Sequence, residues 1–200
     1  MTHATTRIIR EEHAALSAML RSIPLLLAQH QRHARLPDFA AMRAMLFYVD
    51  EFPEQRHQRK ETELLFPLLR QRTALARAAL DPLDEDHASG EKSIRDLEHA
   101  RLADEMLGES RRQVFEPATD HAAERYVNFY LAHMMVEEQQ ILALAEPVLT
   151  DADWAELDAA FSAHCDPLTA HGHAPEADDQ ALFTRIVNLV PVPIGLGAES

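Results

Sequence analysis

The sequence predicts an all-α protein: an up-down-up-down antiparallel four-helix bundle with a short C-terminal helical appendage. Three observations predict it. Long stretches are rich in Ala, Leu, Glu and Arg, with only 5 glycines and 6% aromatic residues, a composition that favours helices over a β-sandwich. Apolar residues recur at alternating steps of three and four in four separate segments, the period of a helix with one buried face. Proline, glycine or aspartate punctuates the chain between those segments. At 200 residues, with 46% hydrophobic and 26% charged side chains, the chain has the size and composition of one globular domain.

In the first segment Ile9, His13, Leu16, Leu20, Ile23 and Leu27 follow steps of 4, 3, 4, 3 and 4. Thr5 or Thr6 is placed to cap its start, and Pro37-Asp38 marks the break after it. The second helix runs over about 38–72, with Met42, Leu46, Val49, Pro53, His57, Glu61, Leu64 and Leu68 inward. Pro53 predicts a kink and Pro67 a distorted last turn, because each removes a backbone donor. Asp81-Pro82 fits the start of a third helix reaching about Leu107, with Leu83, His87, Glu91, Ile94 and Leu97 inward. Gly108 and Pro117 bracket the next connection. A fourth helix spans about 118–149, with Tyr126, Tyr130, His133, Glu137, Ile141, Leu144 and Val148 on one stripe. Thr150 and Asp153 form a capping signature for a short helix to about His164, in which Trp154 packs back on the bundle. Residues 1–164 are therefore expected to form the bundle with its capping helix. Residues 165–200 form an appendage, with a last amphipathic helix near 181–190 and an extended tail from Pro191.

All four apolar stripes are interrupted by ionisable residues: His13, His57 with Glu61, His87 with Glu91, and His133 with Glu137. Residues four apart on a helix lie nearly one above the other, so each pair points at one place. A lone histidine on such a face is ordinarily a satisfied core residue. Seven unpartnered ionisable groups in a core would be prohibitive, and a metal ion, or two, relieves that. The spacing tests the idea. In antiparallel hairpins, residues at one height are reflections through the loop. His13 and the 57/61 pair reflect through 36, the 57/61 and 87/91 pairs through 74, and the 87/91 and 133/137 pairs through 112. All three midpoints fall in breaks read from other residues. The seven side chains should form one layer, with nitrogen and carboxylate donors suited to iron, manganese or zinc.

These residues resemble the hemerythrin-like, HHE cation-binding family. The resemblance rests on Glu11-Glu12-His13, on Phe52 to Pro67 with His57 and Glu61, on Asp86-His87-Ala-Ser-Gly90-Glu91, and on His133-Met-Met-Val-Glu137-Glu138. It covers positions 8 to about 149. It implies a non-haem centre of two iron ions, oxo- or hydroxo-bridged, with manganese and zinc as alternatives. By resemblance, one iron takes His87, Glu91 and His133, the other takes His13 and His57, and Glu61 and Glu137 bridge them. Glu91 stands where the five-histidine oxygen carriers have a further histidine, and Glu138 competes with Glu137 as the bridging acid. Counted this way, the iron at His87 and His133 is six-coordinate. The iron at His13 and His57 is five-coordinate and open to dioxygen, peroxide or nitric oxide.

The implied function is binding or sensing of such a small oxidant. The alternatives are catalase-like peroxide turnover and, more weakly, iron storage or metal sequestration; the extra charge of Glu91 tilts the reading away from a pure oxygen carrier. A net charge of −14 argues against nucleic acid or an anionic membrane surface as partner. No run of eighteen apolar residues and no secretory signal is visible, and a single cysteine, Cys165, fits a reducing cytoplasm. His3, His30, His33, His99 and His121 read as solvated. His164, Cys165, His171 and His173 form a cluster too poorly ordered in spacing to count as a metal site.

Overall fold

The structure, a computed structural model, describes residues 3–33, 39–106, 109–163, 166 and 169; the side chains of 29–33, 53, 54, 104 and 109–119 lie outside that description. It contains five helices and no strand among the described residues. Helix α1 is Ala4–His33. Helix α2 covers residues 39–72 and is continuous but not uniform. Its α-helical pieces Phe39–Val49, Gln58–Lys60 and Phe66–Arg72 are separated by wide i→i+5 turns at Asp50–His57 and Glu61–Leu65. A 3₁₀ turn, Ala74–Ala76, leads into α3, Arg77–Met106. Helix α4 covers residues 109–148, with a third wide turn at Glu137–Ile141. Helix α5 is Asp151–Ala163.

Neighbouring helices run antiparallel, as paired contacts at opposite ends show. Arg43 meets Glu105 and Arg70 meets Asp81 between α2 and α3. His87 meets His133 and Arg101 meets Asp120 between α3 and α4. His13 meets Glu138, and Ser17 Met134, between α1 and α4. Helix α5 closes one end. The first-turn N–H and the hydroxyl of Thr5 donate to Asp158 Oδ1 at 2.7 and 2.6 Å, so a carboxylate of another helix satisfies them. The expected role of Thr5 as a local cap is thus corrected. The box at α5 forms as expected: Thr150 N–H donates to Asp153 Oδ2 at 2.8 Å and Asp153 N–H to Thr150 Oγ1 at 3.3 Å. Arg72 adds a two-pronged contact to Asp153 at 2.7 and 2.8 Å. Trp154 is buried, and His3 stacks on it at 4.1 Å, so His3 is not simply solvated.

Two helix starts differ from expectation. Helix α3 begins at Arg77, following the Thr73 hydroxyl that accepts from Leu75 N–H, and it runs on through Pro82. Helix α4 begins at Glu109, so Pro117 lies inside it rather than in a connection. Each proline deletes one ladder hydrogen bond, a cost that a packed helix of about 30 residues absorbs. The expected break at Pro37-Asp38, the residues His164, Cys165, His171 and His173, the helix near 181–190 and the tail from Pro191 lie outside the described residues.

The core divides in two. One apolar cluster holds Leu16, Leu20, Ile23, Met42, Leu46, Val49, Ile94, Tyr130 and Met134. The other holds Ile9, Leu65, Phe66, Leu69, Leu83, Ile141, Trp154, Leu157 and Phe161. Between them, on every one of the four long helices, lies a buried ionisable residue.

The wide turns explain where the inward stripe departs from the simple reading. In a straight α-helix a step of four overshoots the face by about 40°, so four such steps reach the far side. Helix α2 nevertheless buries His57, Glu61, Leu65 and Leu69, and α4 buries His133, Glu137, Ile141 and Ala145, with Leu149 buried just past its end. Each wide turn absorbs one extra residue and keeps the stripe inward. The expected Leu64, Leu68, Leu144 and Val148 are only partly buried, displaced by Leu65, Leu69, Ala145 and Leu149 one position on.

Candidate metal centre

Six of the seven predicted residues meet in the layer between the two cores: His13 from α1, His57 and Glu61 from α2, His87 from α3, and His133 and Glu137 from α4. Their donor atoms form two groups, His13–His57–Glu61 and His87–His133–Glu137, each within 4.8 Å. The seventh, Glu91, does not join them. Its side chain is 51% exposed and accepts from Arg95 at 2.6 Å. The reason is the register of α3, which buries Leu83, His87, Gly90, Ile94 and Leu97 in unbroken steps of four and three. No wide turn interrupts α3, so position 91 rotates out and Gly90 takes the inward place.

The four rings face each other in pairs. His13 Nε2 lies 3.1 Å from His57 Nε2, and His87 Nε2 lies 3.0 Å from His133 Nε2. Each carboxylate divides its oxygens between the pairs. Glu61 presents Oε1 to His57 at 3.4 Å and Oε2 to His87 at 3.8 Å. Glu137 presents Oε2 to His13 at 3.3 Å, and Oε1 to His133 at 3.1 Å and His87 at 3.5 Å. Each half therefore has two nitrogens and one oxygen from each glutamate, a bridged two-position geometry. With Glu91 outside, the halves have equal protein donors, and the expected contrast of six against five ligands does not hold.

Every ring is oriented from behind. His57 Nδ1 meets Glu12 Oε2 at 2.5 Å, His13 Nδ1 meets Glu138 Oε1 at 3.1 Å, and His133 Nδ1 meets Asp86 Oδ2 at 3.2 Å. His87 Nδ1 meets the Thr62 hydroxyl at 2.8 Å. A carboxylate behind Nδ1 holds the proton there and leaves the Nε2 lone pair forward. Glu138 thus supports His13, and Glu137 spans the pairs. Glu12, Asp86 and Thr62 were not assigned from the sequence. The available signal was an acid immediately before His13 and before His87, yet each reaches across to the histidine of the neighbouring helix.

The layer calls for positive charge. Burial lowers the basicity of His133, but the Glu137 carboxylate outweighs it and the ring is raised to about 9. Burial likewise opposes charge on His57, where Glu61 and Glu12 prevail and hold the ring well above its usual range. His13 is raised against its burial by Glu137 and Glu138. Burial raises the Glu137 carboxyl, but the facing histidines, His133 foremost, hold it well below the ordinary value. Two buried oxygens, Glu61 Oε2 and Glu137 Oε1, have ring nitrogens near but no hydrogen bond of acceptable geometry. Opposed Nε2 nitrogens at about 3 Å and unsatisfied carboxylate oxygens are the donor set that a pair of cations satisfies once the rings give up their protons.

A small cavity of about 10 Å³ lies against the His13–His57 half, lined also by Leu16, Phe52, Arg56, Lys60 and Asp166. That is room for about one water-sized molecule. His99 and His121 are exposed, as expected, while the side chains of His30 and His33 lie outside the described residues. Tyr126 and Tyr130 are core residues, and Tyr130 Oη accepts from Gln58 Nε2 at 2.8 Å.

Fold and site together define a metal-binding helical bundle with a histidine and carboxylate centre. The hemerythrin HHE cation-binding domain model matches residues 4–145, and the chain belongs to that family. No curated protein and no solved structure matches it. Among the described residues, no helix is long and apolar enough to cross a membrane.

Proposed function

We propose that the protein holds two iron ions, one at His13 and His57 and one at His87 and His133, with Glu61 and Glu137 shared, and that it binds or senses a small oxidant there. The observation that carries this reading is the division of each glutamate between two histidine pairs. Iron supplies a reversible change of charge and coordination positions beyond the four protein donors on each side. Dioxygen, peroxide and nitric oxide are small enough for the cavity beside His13 and His57. The chain's own contribution is to fix the ring tautomers through Glu12, Glu138, Asp86 and Thr62, and to keep bulk water from the layer with Phe52, Phe66 and Phe161. Manganese and zinc accept the same donor types, and the working place of the protein is proposed to be the reducing cytoplasm.

Catalase-like turnover is the second reading. With Glu91 outside the layer its charge no longer argues against a pure carrier, but three histidines backed by carboxylates favour the more highly charged ion. Anaerobic reduction of the iron-loaded protein followed by dioxygen separates the two. A reversible optical change supports binding, and sustained oxygen release from added peroxide supports turnover. A chain that purifies without metal and takes up no iron would falsify both.

A further inference from the structure

A second buried polar assembly stands behind the His57 half of the centre. Tyr48, fully enclosed in α2, donates its hydroxyl to Asp166 Oδ2. Asp166 follows α5 and is itself buried. Its backbone N–H donates to Glu12 Oε1 at 2.9 Å, and the other oxygen of Glu12 meets His57 Nδ1 at 2.5 Å. Thr169 closes a turn on the same residue, its N–H and hydroxyl donating to Asp166 O at 3.0 and 2.7 Å. An unbroken hydrogen-bonded line therefore runs from the chain beyond α5 to a ring whose Nε2 faces the metal layer. The other half has no counterpart of this kind among the described residues: His133 and His87 are backed by Asp86 and Thr62 alone.

We propose that Tyr48, Asp166 and Glu12 act as a positioning relay that makes the His13–His57 metal position, and not its neighbour, depend on the placement of Asp166. The proposal rests on the metal-binding reading above. The physical basis is that Glu12 accepts from two sides. Its carboxylate plane is set by the Asp166 N–H, and that N–H is placed by the tie from Asp166 to Tyr48. Loosening the tie lets Glu12 rotate and lets the His57 ring turn with it. Partners of this type change metal affinity by about 10–100-fold when altered.

The test uses cobalt(II) on the chelator-treated full chain, with visible absorption reporting coordination and calorimetry reporting affinity. The wild type is expected to bind two equivalents. In Tyr48→Phe one equivalent weakens at least about tenfold and its absorption band shifts, while the other equivalent keeps affinity and band. Asp166→Asn should act on the same equivalent, and the double variant should lose little more than either single change, because both cut one line. If Tyr48→Phe does not fold by circular dichroism, Glu12→Gln reads the inner end of the relay and should again weaken one equivalent. Two equivalents with wild-type affinity and spectrum in the variants would overturn the relay alone, as would equal weakening of both. A wild type that takes up no cobalt would overturn the relay together with the reading beneath it.

Discussion

Metal uptake should compete with protons, and the structure sets the size of that competition. His133 is raised to about 9 against an ordinary value of 6.5, so near neutral pH its ring holds a proton in the chelator-stripped protein. A cation binding at pH 7 must displace that proton across about two pH units, a penalty of about 3 kcal/mol. The penalty disappears as the pH approaches 9. His57 and His13 are raised in the same direction and add to the effect. Zinc affinity, measured by competition with a chromophoric chelator, should therefore climb at least about tenfold per pH unit between pH 6.5 and 8.5. The stability of the stripped protein should move the other way. A ring whose value is raised on folding stabilises fully below its unfolded value and loses that contribution as the pH passes its folded value. The thermal midpoint should thus fall from pH 6.5 towards 9, while the zinc-loaded protein changes little. A zinc affinity that is flat over this range would mean that the rings do not exchange protons for metal, and the assignment of the layer would fail.

Three further outcomes follow from the geometry. His57→Ala should reduce metal content from two ions to about one per chain by elemental analysis, since the other half keeps both of its histidines. Glu91→Gln should leave metal content unchanged and alter stability by less than about 0.5 kcal/mol, because it touches only an exposed pair with Arg95; a lost ion would restore Glu91 to the ligand set. Asp153→Ala removes the carboxylate half of the α5 capping box along with the Arg72 contact and should cost about 1 kcal/mol in chemical denaturation, without changing the metal stoichiometry.

Much of this molecule was legible before its coordinates. The four stripes gave the helices, and mirror spacing through the loops placed His13, His57, His87 and His133 at one height. The reading went astray where it treated the three His-x-x-x-Glu pairs as equivalent. Spacing by four points inward only where the phase of the stripe allows it. His133 follows Tyr130 by three, and His57 ends the wide turn at Asp50–His57. His87 already follows Leu83 by four with no wide turn before it, so the next inward place is Gly90. The distinguishing sign lies in what comes next. His57 and Glu61 are followed by Leu65 and Leu69, and His133 and Glu137 by Ile141 and Ala145, all in fours, whereas His87 is followed by Ile94 and Leu97 through Gly90. Helix starts were read poorly for a different reason. Pro82 and Pro117 look like boundaries from local preference, but packing holds helix on both sides of each. The orienting groups were hidden because Glu12 and Asp86 serve a histidine on another helix, a relation that chain proximity does not express.

The wide turns at Glu61–Leu65 and Glu137–Ile141 also set what kind of change this chain tolerates. Each is in effect a one-residue insertion that leaves the helix before and after it in phase. Shortening either stretch by a single residue would let it relax to ordinary geometry, and the hydrophobic packing on both sides would survive. Each glutamate would keep its inward aim, which the ordinary helix before it sets, and only the spacing to the next buried residue, Leu65 or Ile141, would shorten from four to three. A change of chain length at these two places is therefore one the fold can absorb, while the donor side chains hold their positions.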